Sequence, residues 1–592
     1  MAGRVVAVIG ARLNSSRLPR KHLLHLASEP LIAHVVDRLR QVPEIDQVVL
    51  ATTADDYNHD LVTWAADYGV ACHAFDGDVN DLMGRVNEVV VQEDADIILY
   101  VCGDCPLIDM DTVAALLRAL KDAPDAEVSK LTLPNGSQGT IHVGFDIVRR
   151  SFWNRMYAAS STADEREHVG AAWHHSKKVE PAAIAYANDA EVFSSIRHRI
   201  SVDTAQDYYF MRRVYEDWYA CHDQGTPVAL EWVVDRLTAE PELRAINADV
   251  HQRGVSEDIK EIALLSEVGP EIGLGHLSRI CVAAFALQAT MGARVRLFIR
   301  GQVVPFESLN LLPHTWVDGF QSVSDEVLGH DAVIVDLKEI DQDASTLMAR
   351  CEGNVYRVGI DRALHADQLF DFLWVPSVYL PEEAVTRLGA KLQYGLDCML
   401  LRQPFLGNRG QASEGTAKRV VILTGGSDPA GLAQVLPEKL LAALHGHVQI
   451  TWVQGPYAAT PNVGSGTQAS PRWTTAVSPP DLHQFVVGFD AALCVFGVSF
   501  YECLNAHVPT IVFDPLKAAT AEEWQVLKKQ MPDFVMQTVD DAVSQLASMM
   551  QQAAPVEIPA AADRLQGAQG RFARLVQEKL QAHSRGALHN AS

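Results

Sequence analysis

Short unbroken apolar runs alternate with helical faces from the first residues onward, and this alternation restricts the fold more than any other feature. Val5–Ile9 is an apolar run of strand length, whereas Pro30–Val42 sets Leu31, Ile32, Val35, Val36 and Leu39 on one helical face. Val48–Ala51, Val70–Phe75 and Ile97–Val101 continue the strands, and Asp60–Tyr68 and Asp81–Glu93 the helices. Such a succession predicts a parallel sheet with helices on both faces. At 592 residues the chain exceeds one core, so about three or four domains are expected.

The loop after the first run, Ala11–Lys21, reads Ala-Arg-Leu-Asn-Ser-Ser-Arg-Leu-Pro-Arg-Lys and holds four cations and no acid, in a chain whose net charge is −25. Open α/β sheets bind ligands at the carboxyl ends of their strands, where Arg, Lys and backbone N–H groups suit a polyphosphate. The acidic balance argues against wrapping nucleic acid but leaves local basic pockets free for small phosphorylated ligands. Hydrophobic content of 48% with 21% charged residues is that of a soluble globular protein. No run of about 18 apolar residues and no signal-like leader is present, so no membrane segment and a cytoplasmic location are expected.

Nine cysteines are scattered without a disulfide framework. Cys102 and Cys105 have redox or zinc spacing, but no second pair follows, and they read as small packing groups around Asp104. Asp104 ends the Ile97–Val101 strand after Gly103 and before Pro106. A carboxylate there suits Mg²⁺, which takes one or two carboxylates plus substrate phosphates, while Asp109 is the better cap for the helix that follows. Asp203, in His-Arg-Ile-Ser-Val-Asp-Thr, is expected to end a short strand ahead of the helix-like Tyr208–Tyr219, offering a second metal ligand.

Arg12, Ser16, Arg17, Leu18, Pro19 and Lys21 resemble the signature loop of sugar cytidylyltransferases, the group of sialic acid, Kdo, pseudaminic acid and spore-coat-type enzymes. Pro30-Leu31-Ile32, Asp81–Arg85, Gly103–Asp109, Glu165–Val169 and Ser201–Thr204 follow in that family's order over roughly residues 4–220. The resemblance implies that Arg12, Arg17 and Lys21 neutralise the triphosphate of CTP, with Ser16 and Gly103 also at the nucleotide. It implies that Asp104 and Asp203 hold Mg²⁺ and that a sugar acid is the acceptor. Val148 in Gly144-Phe145-Asp146-Ile147-Val148 stands where the spore-coat relatives carry Glu.

Helical patterns continue through Val228–Leu237, and the polar stretch Arg253–Glu261 reads as a linker. Ile262–Ser266 then restarts a strand, leading to Gly273-Leu274-Gly275-His276-Leu277-Ser278-Arg279 and the helix-like Ile280–Met291. Ser278 stands where the third Gly of a dinucleotide fingerprint belongs, so the dinucleotide reading weakens. Gly273 and Gly275 still admit a ligand, and His276 would stand at a helix N-terminus, where the dipole favours the neutral imidazole a general base needs. Further strands are expected at Val295–Ile299, Ala332–Val335, Tyr356–Ile360 and Leu373–Val375, a hinge at Leu406–Lys418, and a third lobe from Arg419–Leu423 with Gly425-Gly426-Ser427-Asp428 after its first strand. Later strands are Gln449–Val453 and Ala491–Val495. In Gly497–Leu504, Gly497 and Ser499 at a helix start would present N–H and hydroxyl groups to phosphate, and Glu502 would reach a ribose or face solvent. Phe572–Ala582 reads as a closing helix, with His583–Ser592 disordered.

Tandem α/β lobes with an early Gly-x-Gly-His loop and a late Gly-x-Ser-x-x-Glu helix look like GT-B architecture. Gly273–Arg279, Asp336, Tyr394-Gly395 through Phe405, Gly425–Asp428 and Gly497–Leu504 resemble the UDP-sugar hydrolase of pseudaminic acid biosynthesis, over about residues 262–530. Asp361-Arg362 stands where those hydrolases often show two acids. The expected arrangement is a Rossmann-like nucleotidyltransferase domain over 1–250 and a GT-B-like module with lobes at 262–405 and 418–582. The resemblances imply a bifunctional enzyme in which Arg12 and Lys21 serve cytidylyl transfer and His276 activates water on a UDP-sugar. Rivals for the second half are a true glycosyltransferase and a module that binds nucleotide-sugar without turnover. CTP, a sugar acid and a UDP-sugar are the expected partners; both a monomer and a homo-oligomer fit.

Overall fold

The strand Val5–Gly10 (β1) is buried along its length, as a continuous apolar run requires when both sheet faces are covered. It is the third strand across a seven-stranded sheet in a computed structural model that describes residues 3–133, 140–251, 259–402, 418–463, 472–479, 481–552 and 556–590. The chain divides into two compact units, Met1–Glu257 and Asp258–Ser592.

In the first unit β1 is joined by Gln47–Thr53 (β2), Ala71–Phe75 (β3), Ile97–Cys102 (β4), Val128–Thr132 (β5), Phe145–Arg149 (β6) and Ile184–Asn188 (β7), in the order β3-β2-β1-β4-β6-β5-β7. Strands β1 to β4 pair in parallel, but β6 runs antiparallel to both β4 and β5. The sheet is therefore mixed, a correction to the wholly parallel expectation. Val6, Val8, Ile98 and Tyr100 pack one face against Met83, Val86 and Val90 of helix Leu82–Gln92 and against Phe152 and Trp153. The β1–β4 register sets Gly10 opposite Cys102, which brings the loop after β1 beside Gly103 and Asp104. The segment before Asp203 is irregular rather than a strand.

The second unit contains two parallel sheets. Glu261–Val268 (β8), Arg294–Gly301 (β9), His314–Val317 (β10), Ala332–Asp336 (β11), Tyr356–Ile360 (β12), Phe372–Val375 (β13) and Leu392–Tyr394 (β14) form the first, in the order β10-β9-β8-β11-β12-β13-β14. Arg419–Leu423 (β15), Gln449–Gln454 (β16), Trp473–Val477 (β17), Ala491–Val495 (β18), Thr510–Phe513 (β19) and Val535–Met536 (β20) form the second, as β17-β16-β15-β18-β19-β20. In both, strand order reverses beside the first strand, which opens a crevice at the carboxyl ends. The chain is thus α/β throughout, with one mixed sheet in the first unit and two parallel sheets, one per lobe, in the second. Residues 253–258 of the expected linker and 406–417 of the expected hinge lie outside the described residues.

The closing helix runs Ala568–Asn590, so the disorder expected from His583 is corrected through Asn590. Nor does it belong to the lobe that precedes it. Phe572 meets Trp374 edge-on at 5.1 Å, and Lys579 Nζ donates to the Ala390 carbonyl at 3.1 Å. The helix packs against Gly275–Met291 of the first lobe, so the 418–582 grouping is corrected as well. Its apolar stripe of Phe572, Ala573, Val576 and Leu580 is buried, but a stripe does not say which lobe covers it.

Candidate active sites

In the first unit the expected cations and carboxylates meet. Lys21, at the end of the basic loop, donates through Nζ to Asp104 Oδ2 at 2.5 Å and Asp203 Oδ1 at 2.9 Å. Arg17 reaches the same Asp203 oxygen at 3.2 Å, and Arg199 pairs with Asp203 and Asp207. What draws Asp203 in is backbone: the Val202 N–H donates to the Asp104 carbonyl at 2.9 Å. Thr204 and Asp207 then close a capping box at the start of helix Ala205–Tyr219. Asp104 is not spent on capping, because Asp109 accepts the Thr112 N–H at 2.9 Å at the start of Met110–Asp122. Gly103 donates its N–H to the Gly10 carbonyl at 2.9 Å. A side chain there would bring Cβ equally close to that carbonyl, 2.9 Å, so only glycine lets the two strand ends approach.

Burial alone would lower the Lys21 ammonium, but Asp104 and Asp203 outweigh it and raise its pKa. Burial likewise would raise Asp203, yet Lys21, Arg17 and Arg199 hold its carboxyl below the ordinary range. An ammonium bonded to both carboxylates is a stand-in cation, so the donor set fits a divalent ion of the Mg²⁺ type. Arg12 points elsewhere: its guanidinium donates to Asn80 Oδ1 at 2.7 Å, the Val79 carbonyl at 3.1 Å and Glu167 Oε1 at 3.0 Å. Arg166 pairs with Asp81 nearby, so the Asp81–Arg85 and Glu165–Val169 segments converge on Arg12. Ser16 is exposed on the loop. Burial pushes the Cys102 thiol up to about 12 and Cys105 well above its ordinary value, and both are free, as packing groups should be. Sequence reading missed His22, buried with Nδ1 3.2 Å from the Gly103 carbonyl.

In the second unit, helix Gly275–Met291 starts at the Gly-rich loop and carries His276 in its first turn. His276 Nδ1 lies 2.7 Å from Asp336 Oδ1 at the end of β11. Asp336 is fully buried; burial would raise its carboxyl, but Arg279 and His276 hold it below the ordinary range, hence ionised. The tautomer that hydrogen-bonds this carboxylate carries its proton on Nδ1, which Arg279 Nη2 also approaches at 3.1 Å, and it leaves the lone pair on Nε2, the atom that could take a proton from water. Arg279 donates to Asp336 Oδ2 and Oδ1 at 2.8 Å each and to Asp361 Oδ2 at 2.6 Å. Asp361 adopts φ 55° directly after β12, a left-handed turn that Asp tolerates. His276, Asp336 and Asp361 have metal-ligand spacing, but the Arg279 guanidinium already supplies the cation between the two carboxylates.

The glycine motifs of the two lobes face one another. A Cβ on Gly426 would lie 3.1 Å from Leu274, and one on Gly275 would lie 3.6 Å from Val498. The Gly273–Arg279 loop, which carries His276, thus meets the Gly425–Asp428 motif and the start of helix Val498–Asn505, the motifs that hold Ser427, Gly497 and Ser499. Glu502 is neither solvent-facing nor free. It is 3% exposed, and its oxygens accept from Arg402 Nε at 2.8 Å and a terminal nitrogen at 3.1 Å.

Residues 6–162 match the family model described as Cytidylyltransferase. The chain is 35% identical over 133 residues to the 3-deoxy-manno-octulosonate cytidylyltransferase of an Anaeromyxobacter species, which covers 22% of this chain and 52% of that protein. It therefore spans about half the length of that relative. An uncharacterized protein of Methanocaldococcus jannaschii is 22% identical over 254 residues, 43% of this chain and 98% of the relative. Among solved structures, MurG of Acinetobacter baumannii covers 54% of this chain and 99% of that one at 13% identity and a TM-score of 0.35. No helix among the described residues is long and apolar enough to cross a membrane. Residues 6–162, with the basic loop and Asp104 inside them, form a cytidylyltransferase-family domain at the N-terminal end of the chain.

Proposed function

We propose that the chain is a bifunctional enzyme of nonulosonic acid biosynthesis, of the pseudaminic type. Its first unit couples CTP to a sugar acid, and its second hydrolyses a UDP-2,4-diacetamido-2,4,6-trideoxyhexose to free sugar and UDP. For the first unit the observation that carries the reading is the Lys21–Asp104–Asp203 cluster at the carboxyl end of β1 and β4. The anomeric hydroxyl of the acid attacks the α-phosphorus of CTP, the bond to the β-phosphate oxygen breaks, and pyrophosphate leaves. Asp104 and Asp203 would hold Mg²⁺, which when bound neutralises phosphate charge. Lys21 and Arg17, released from Asp203, and Arg12 would bind the triphosphate, with Ser16 and Gly103 at the loop backbone. Positioning and charge neutralisation supply the catalysis.

For the second unit the carrying observation is the His276–Asp336 pair at the Gly-rich loop. His276 Nε2 would take the proton of a water whose oxygen bonds to the anomeric carbon as the bond from that carbon to the β-phosphate oxygen breaks and UDP leaves with the electron pair, while Asp336 holds the ring and stabilises the imidazolium. Gly273, Gly275, Gly425, Gly426, Ser427, Gly497 and Ser499 would cradle the diphosphate, and Glu502 would hold Arg402 beside it or reach the ribose. Incubation of the full chain with a UDP-sugar, with and without acceptors, tests this: free sugar supports hydrolysis, a glycoside supports transfer, and binding without product supports a binding module. A panel of nucleotides and sugar acids read by pyrophosphate release tests the first unit.

A further inference from the structure

The cleft of the second unit holds a second set of polar groups that the reading above does not use. Glu523, on helix Ala521–Gln530 of the second lobe, has Oε1 at 2.6 Å from Ser377 Oγ of the first lobe. Ser377 Oγ also lies 2.8 Å from the Tyr379 carbonyl oxygen. The Ser377 hydroxyl donates to the Glu523 carboxyl at that 2.6 Å contact and accepts the Tyr379 N–H at 3.2 Å. Burial and the neighbouring Asp361 carboxylate push Glu523 above the ordinary carboxylate range, against hydrogen bonds from Ser377 and from the Thr520 and Val378 N–H groups. Beside it stands Tyr501, on helix Val498–Asn505, 4% exposed. Its hydroxyl has no hydrogen-bond partner among the described residues and lies within electrostatic reach of both Glu523 and Asp361. A buried hydroxyl is rarely left unpaired without a reason.

We propose that Tyr501, Glu523 and Asp361 form the subsite for the uncharged hexosyl ring of a nucleotide-sugar, next to His276. This rests on the reading of the second unit as a nucleotide-sugar enzyme. Asp361, ion-paired to Arg279, and Glu523 are acceptors for ring hydroxyl or amide N–H groups, and the Tyr501 O–H is a donor for a ring oxygen or an acyl carbonyl. Carboxyl groups repel phosphate, so the diphosphate belongs at the other side, against Gly497 and Ser499.

The test is calorimetric titration of the full chain with UDP, UDP-glucose and UDP-N-acetylglucosamine. Wild type should bind at least one UDP-hexose about tenfold tighter than UDP. Tyr501→Phe and Glu523→Ala should erase most of that gain while UDP affinity stays within twofold, which also reports an intact fold. The subsite is overturned if the gain persists in Tyr501→Phe and Glu523→Ala, if their losses fall equally on UDP, or if wild type binds UDP and every UDP-hexose alike. Failure of wild type to bind UDP at all overturns the nucleotide-sugar reading itself and this inference with it.

Discussion

Lys21 Nζ and Asp104 Oδ2 are 2.5 Å apart, so the cation best placed for a triphosphate is held by a carboxylate best placed for a divalent ion. Ligand and metal must therefore separate a pair that already satisfies itself. Removing the ammonium should free both carboxylates: Lys21→Met should bind Mn²⁺ about tenfold more tightly than wild type without nucleotide, a difference of about 1.4 kcal/mol. Electron paramagnetic resonance of free Mn²⁺ measures this, and unchanged or weaker affinity would contradict the shared-site geometry.

Arg12 and Lys21 should both be needed for transfer although they face different partners at rest. Arg12→Ala and Lys21→Ala should each lower pyrophosphate release by a hundredfold or more, the effect of losing about 3 kcal/mol of transition-state charge stabilisation. Near-normal release by both variants would refute the phosphate-loop assignment.

His276→Ala should cut sugar release from a UDP-sugar by about 10²–10⁴ with UDP affinity within a few-fold. Asp336→Asn should fall in the same direction, because it removes the acceptor that fixes the Nδ1 proton. Product chromatography on both variants checks this; turnover that survives in His276→Ala makes the histidine structural.

Burial, with Lys21 alongside, pulls the His22 imidazole down from 6.5 to about 4. Between those values the unfolded chain takes up a proton that the folded chain refuses. This contribution to stability is therefore full above about pH 6.5 and is lost as pH falls towards 4, by up to about 3 kcal/mol. His22→Gln should flatten the fall of the first unit's urea midpoint between pH 7 and 4.5; an unchanged slope would contradict the assignment.

Much of the fold was legible because buried parallel strands are short continuous apolar runs, as Val5–Gly10 and Ala332–Asp336 are. Asp104 and Asp336 were legible for the same reason: each follows or ends such a strand, at the edge where the sheet opens. The antiparallel Phe145–Arg149 strand was not, since only Ile147 and Val148 in it are buried and Asp146 interrupts the apolar run. Asp203 was expected at a strand end, but a single backbone bond from Val202 to Asp104 places it instead. Pairings between distant residues stayed invisible too: Glu502 finds Arg402 100 residues away, and Glu523 finds Ser377 across the cleft. Side-chain partners of this kind depend on how lobes pack, which local periodicity does not encode.

Two chemically separate sites on one chain should be distinguishable by pyrophosphate release from CTP with a panel of eight- and nine-carbon sugar acids. The full-length protein and Asp104→Asn are compared, with UDP-sugar turnover followed in parallel. Wild type should release pyrophosphate only when CTP and a sugar acid are both present, Asp104→Asn should lose that release, and UDP-sugar turnover should be unchanged by the substitution. No release with any acid, wild-type release by Asp104→Asn, or a several-fold change in UDP-sugar turnover in the folded variant would contradict the presence of two separate sites.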